Sequence, residues 1–158
     1  LFGIAWGLRS ILNFTARKAN ETIFQRGRHQ KGEELLSTQV YFTAPSCDAE
    51  TIRAAMLSQL SLEPAGTLKR TLELADEKVD ADGYSLTFRY GNKMAENFRT
   101  NVLIQRTPGG SGTQGLITVI EALAADGILT HVDELGNWRH DIVAAIQQTD
   151  SQAVFTQA

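Results

Sequence analysis

Few residues in this chain are of a type and spacing suited to chemistry. Gly110, Gly112 and Gly115 fall in the order Gly-x-Gly-x-x-Gly, the pattern that brings a dinucleotide's pyrophosphate to the N-terminus of a helix. That use requires a strand-to-helix turn inside a parallel βαβ unit. The apolar run before it, ending at Ile104, belongs instead to a hairpin pattern, so the segment reads as a glycine-rich hairpin loop. Leu116, not Lys, follows the last glycine, which leaves nucleotide hydrolysis without support. Metal ligation needs converging donors. Of His29, His131 and His140, the last two stand on different faces of one helix, so no metal is expected. Asp126, Asp133, Glu134 and Asp141 are acids that helix starts and solvated surfaces explain. Cys47 lies near a helix start, where a thiolate is favoured, but no base is identifiable beside it. No serine sits in a nucleophile elbow.

The aromatic residues are more suggestive. Tyr84, Phe88 and Tyr90 alternate along one run, Phe98 opens the next, and Trp138 and Ile142 lie on one face of the last helix. Stripes of this kind either pack against each other or line a pocket for an apolar ligand. Phe88, Tyr90, Phe98, Trp138 and Ile142 are therefore the candidate ligand-binding residues. An enzyme built on the same frame would direct Arg89, Arg99 or His140 into that space. No cofactor is expected.

The elements that must position these residues follow from periodicity. Val40, Tyr41, Phe42 and Thr43 form a strand that stops at Pro45. Ser46 can cap a helix carrying Asp48 and Glu50 in its first turn and Ile52, Ala55, Met56 and Leu60 on one face. Leu72 and Leu74 alternate with polar residues, and the cluster Asp80 to Gly83 turns the chain into the clearest strand, Tyr84 to Tyr90. Gly91 and Asn92 turn it again into Phe98 to Ile104, and Leu116 to Leu123 is a further strand rich in β-branched residues. Thr130 and Asp133 open a last helix with Leu135, Trp138, Ile142 and Ile146 on one face. The tail from Thr149 is polar apart from Val154 and Phe155.

These predict one α+β domain over residues 34–158, with an antiparallel sheet of about five strands in the order β-α-β4-α packed on a C-terminal helix. With 158 residues, 42% hydrophobic and 21% charged, the chain is long enough to build a core. Its net charge of -3 argues against a whole-protein nucleic-acid footprint. One cysteine excludes an internal disulfide.

Residues 1–33 differ. Over the first thirty-one positions Arg9, Arg17, Lys18, Arg26, Arg28 and Lys31 face only Glu21 as an acid. Ile4, Leu8, Ile11, Leu12 and Ile23 recur at helical spacing, which predicts an amphipathic helix preceding the domain, followed by a Gly-punctuated linker. A start at Leu1 reads as a piece of a longer product. The run Leu1 to Leu8, with Trp6 just before Arg9, is how a membrane span often ends. Such a span would place the domain on the cytoplasmic side, anchored to the membrane. The basic segment would also suit an anionic membrane surface, with nucleic acid the less favoured partner.

The strand Val40, Tyr41, Phe42, Thr43, Ala44, Pro45 before a short helix, and the closing run around Trp138, Arg139 and Ile142, resemble the helix-grip and TATA-binding-protein-like folds, which include the START-like ligand-binding superfamily. The resemblance covers about residues 37–150. It implies a curved sheet wrapping a long C-terminal helix, with a small apolar ligand held between them. The expectation is therefore a non-catalytic binding or interaction domain. A helix-grip-type enzyme acting on an apolar small molecule is the alternative.

Overall fold

The computed structural model describes residues 38–157 except 123, 126 and 127, and at 124, 125, 128 and 129 the backbone alone. The helix and linker expected over residues 1–33 lie outside the described residues. β1 (Val40–Ala44) ends at Pro45 and leads into α1 (Ala49–Gln59). A meander follows: β2 (Thr71–Val79), β3 (Gly83–Gly91), β4 (Glu96–Arg106) and β5 (Thr113–Ala122). A small pair, β6 (Ala124–Ala125) and β7 (Ile128–Leu129), precedes α2 (Val132–Thr149), and β8 (Val154–Gln157) comes last.

The main sheet has six strands in the order β2-β3-β4-β5-β1-β8, and every neighbouring pair is antiparallel. The α+β class, the antiparallel sheet and the helix packed after it are as expected; the strand count is larger. The added strand is the tail, where Asp150 makes the turn. Its Oδ1 accepts from Gln152 N–H at 2.9 Å and its carbonyl from Ala153 N–H at 3.1 Å. Val154 and Phe155 then run beside Thr43 and Phe42.

Two helix starts also differ from expectation. Asp48, not Ser46, caps α1, its Oδ1 accepting from Thr51 N–H at 2.8 Å. Ser46 instead donates its N–H to Asp150 Oδ2 at 2.8 Å, tying the β1–α1 loop to the end of α2. α2 starts from His131, not Thr130, in a left-handed conformation (φ 57, ψ 38) without a side-chain cap. A β-branched Thr tolerates that backbone poorly, whereas His is among the residues enriched there.

The turns follow from local polar chemistry. Asp80 Oδ1 accepts from the N–H groups of Asp82 and Gly83 at 2.7 and 2.9 Å, closing the β2–β3 hairpin. Between β4 and β5, Thr107 N–H donates to Gly112 at 2.9 Å, and Gly109 takes φ +71, where L side chains are strained. The glycine-rich segment is thus a hairpin loop between antiparallel strands.

α1 and α2 pack on each other and on one face of the sheet. α1 buries Ala49, Ile52 and Met56, and α2 buries Leu135, Trp138, Ile142, Ala145 and Ile146. Beneath them the strands contribute Val40, Phe42, Leu86, Phe88, Phe98, Val102, Ile104, Ile117 and Val119 to one core. Register places these side chains in rows, such as Leu86, Val102, Ile117 and Val40. Alternation then sends the intervening residues to the opposite face. Among the described residues no helix is long and apolar enough to cross a membrane.

Candidate binding face on the sheet

The residues expected to hold a ligand do come together between the sheet and α2. Phe88 and Trp138 meet with ring centroids 6.0 Å apart and tilted 59°, and Tyr90 stacks on Phe98 at 5.0 Å. Phe88, Phe98, Trp138 and Ile142 are buried within one core cluster. Tyr90 is half-buried at the end of this cluster, and its ring lies 5.6 Å from that of His131. Burial pushes the Tyr90 phenol pKa up, the charge of Glu134 adds to this, and Arg70 opposes it.

The other candidates do not converge on that space. Arg89 and Arg99 project from the sheet face turned away from the helices, while His140 is exposed on α2. His131 Nδ1 lies 3.6 Å from Glu134 Oε1. Among the described residues no group of three or more His, Cys, Asp or Glu is placed to hold a metal; His29 and Asp126 lie outside them. The Cys47 thiol donates to the Thr149 carbonyl at 3.4 Å. Burial pushes its pKa up, and Asp150 and Asp48 add to the shift, the opposite of what a nucleophilic thiolate needs. Arg139 is half-buried on α2, where Nη2 donates to the Thr38 carbonyl at 2.7 Å and desolvation lowers its pKa to about 10.

The face away from the helices has an order that the sequence reading did not anticipate. Its residues stand in lateral rows set by register. At one end Glu73, Arg89, Arg99 and Glu121 lie side by side on β2 to β5. Glu96 joins the two arginines: its Oε1 is 3.2 Å from Arg89 Nε and 2.6 Å from Arg99 Nη2. This pairing holds the Arg99 guanidinium above its usual pKa against burial, helped by Glu121 and Asp76. Next come Thr87, Asn101 and Thr118. Asn101 Nδ2 donates to Ser85 Oγ at 3.1 Å and Thr87 Oγ1 at 3.0 Å, while its buried Oδ1 has no hydrogen-bond partner.

Beyond this polar row the face turns apolar. Leu103, Leu116 and Tyr41 are neighbours in register, followed by Gln105, Gln114 and Thr43. These six residues surround a pocket of about 150 Å³, with Gly115 and Phe42 at its floor. The missing side chain of Gly115 makes room for the Phe42 ring, since an added Cβ would lie 2.5 Å from Cε1 and Cζ of that ring. Drug-sized ligands occupy roughly 300–1,000 Å³. A space of this size instead suits one aromatic ring or branched aliphatic group, given that a cavity of about 150 Å³ accepts benzene.

The signal for this face is visible in retrospect. Val102, Leu103 and Ile104 are consecutive apolar residues, as are Leu116 and Ile117. Consecutive apolar residues in a strand put apolar side chains on both faces, whereas alternate positions alone mark only one face of β4. No family model matches the chain, and comparison with curated proteins finds no match.

Proposed function

We propose that this domain is a non-catalytic interaction module that receives one apolar group of a partner molecule on the sheet face away from the helices. The observation that carries this reading is the pocket among Tyr41, Leu103 and Leu116, rimmed by Gln105, Gln114 and Thr43. Apolar walls favour a ring or branched side chain, and the flanking amides and hydroxyl offer the few polar contacts that orient it. The space between sheet and helix, where the sequence resemblance puts a ligand, is taken up by Phe88, Phe98, Trp138 and Ile142 in contact with the rest of the core. A ligand there would have to displace packed side chains, at a cost of several kcal/mol by the scale of core rearrangements.

Titration of the full chain with toluene and with indole, followed by amide chemical shifts, tests the reading. Saturable shifts are expected at Leu103, Gln114 and Leu116. Leu116→Trp, which fills the pocket, is expected to abolish them. Shifts centred on Phe88 and Trp138, or no saturable shift at all, would refute it.

A further inference from the structure

A second surface, independent of the pocket, lies at the end of the sheet where the β3–β4 turn meets the loop before β2. Leu68 and Met94 are 81% and 77% exposed, the most exposed large hydrophobic residues in the described part of the chain. They are not scattered. Asn92, only 6% exposed, fixes both loops with one side chain: Nδ2 donates to the Leu68 carbonyl at 3.2 Å, and Oδ1 accepts from Met94 N–H at 2.9 Å and Ala95 N–H at 2.8 Å. Lys93 N–H adds a bond to the Gly66 carbonyl at 2.8 Å. Two apolar side chains are thereby held out in water by a buried polar clamp.

The charges immediately beside them in sequence are basic. Lys69, Arg70 and Lys93 adjoin the two apolar tips in sequence and are exposed. Of the nearby acids, Glu63 pairs with Lys69 at 3.1 Å, and Glu96 is engaged by Arg89 and Arg99. Isolated apolar tips of this kind lack the surrounding walls that a protein partner would grip, whereas a bilayer interface accepts apolar side chains singly and rewards basic residues beside them. We infer that Leu68 and Met94 insert into the headgroup region of an anionic membrane, with Lys69, Arg70 and Lys93 on its phosphates and carboxylates.

The test uses the full chain and vesicles of phosphatidylcholine with or without phosphatidylserine. In a Cys47→Ser background, an environment-sensitive dye is attached at Met94→Cys, at Leu68→Cys, or at the distant exposed Val154→Cys. Blue shifts are expected at 94 and 68 with phosphatidylserine vesicles, reversed by salt, and absent at 154. The pair Leu68→Ser and Met94→Ser is expected to lower vesicle partitioning by roughly tenfold or more, and Lys69→Glu with Lys93→Glu to do so by a similar factor. Unshifted dyes at 68 and 94 overturn the inference. So does undiminished binding of the Ser pair, which would locate vesicle binding elsewhere in the chain. Concentration-dependent self-association that the Ser pair abolishes, without any vesicle response, overturns it in favour of a second copy as occupant.

Discussion

Under the helices the sheet presents Leu86, Phe88, Phe98, Val102, Ile104 and Ile117 to a layer that includes Ile52, Met56, Trp138 and Ile142. On the other side the same strands present a row of paired charges, a row of hydroxyls and an amide, and then Leu103, Leu116 and Tyr41. The first set is enclosed from above by two helices, so each side chain is fixed by neighbours on several elements. The second is ordered by register, row beside row, with Asn101, Thr118 and Leu116 buried, Tyr41, Leu103, Gln105 and Gln114 half-buried, and Thr43 exposed. Enclosure makes a face costly to alter. On the second face the half-buried and exposed positions are the ones that can vary at small cost to the fold.

The largest expected effect falls on the enclosed face. Trp138 is 2% exposed and packs on Phe88, so Trp138→Ala is expected to cost about 3–5 kcal/mol in denaturant unfolding. Tyr41→Ala, at a half-buried position beside the pocket, is expected to cost less than about 1.5 kcal/mol while weakening toluene binding. The contrast between the faces fails if the two substitutions cost the same.

Gly115 is where the faces meet. It lines the pocket on one side, and its absent side chain leaves space for the Phe42 ring on the other. An added Cβ would sit 2.1 Å from the Leu103 carbonyl oxygen and 2.5 Å from the Phe42 ring. Neither a strand backbone nor a packed ring gives way freely, and Gly115→Ala is expected to cost about 1–3 kcal/mol by overpacking. Melting curves of this variant, paired with toluene titration, should show both stability and pocket binding reduced. Unchanged stability would mean that the two faces are less closely joined at this point.

The enclosed face was the more legible in sequence, for a physical reason. Tyr84, Leu86, Phe88 and Tyr90 alternate without interruption, and Leu135, Trp138, Ile142 and Ile146 keep helical spacing, so period alone predicts which side is buried. Bulges blur the opposite face. The register shifts between Leu74 and Asp76 and between Arg99 and Thr100, which breaks simple alternation where the charged row forms. Cross-strand neighbours such as Arg89 and Arg99 are set by pairing, not by spacing along the chain. Four residues carry too little pattern to predict β8, and its turn depends on Asp150, whose contacts reach back to Ser46. In sequence Asn92 gives only a turn signal, since the Leu68 carbonyl it holds comes from a loop 24 residues earlier.

The smallest expected effect compares the ion pairs of the two faces. On the helix side Arg53 of α1 makes two bonds to Glu77 of β2, at 2.6 and 2.9 Å, with its guanidinium 5.3 Å above the Tyr84 ring. The hydrogen bond from Arg53, followed by its charge, holds the Glu77 carboxyl below its usual 4.5 against the effect of burial. A carboxylate with a lowered folded-state pKa stabilises the fold fully above its unfolded value. That contribution disappears as pH falls through the lowered value. The side chains are 31% and 21% exposed, so solvent screening limits the pair to about 1 kcal/mol or less. A double-mutant cycle of Arg53→Met and Glu77→Gln should give that coupling at neutral pH and lose it as pH falls through the lowered folded-state pKa of Glu77. The equivalent cycle of Arg99→Met and Glu96→Gln on the other face is expected to give a smaller coupling, because Glu96 retains Arg89 as a partner when Arg99 is removed. Equal couplings in the two cycles would show that Arg89 does not compensate, and that the charged row acts as separate pairs instead of one shared network.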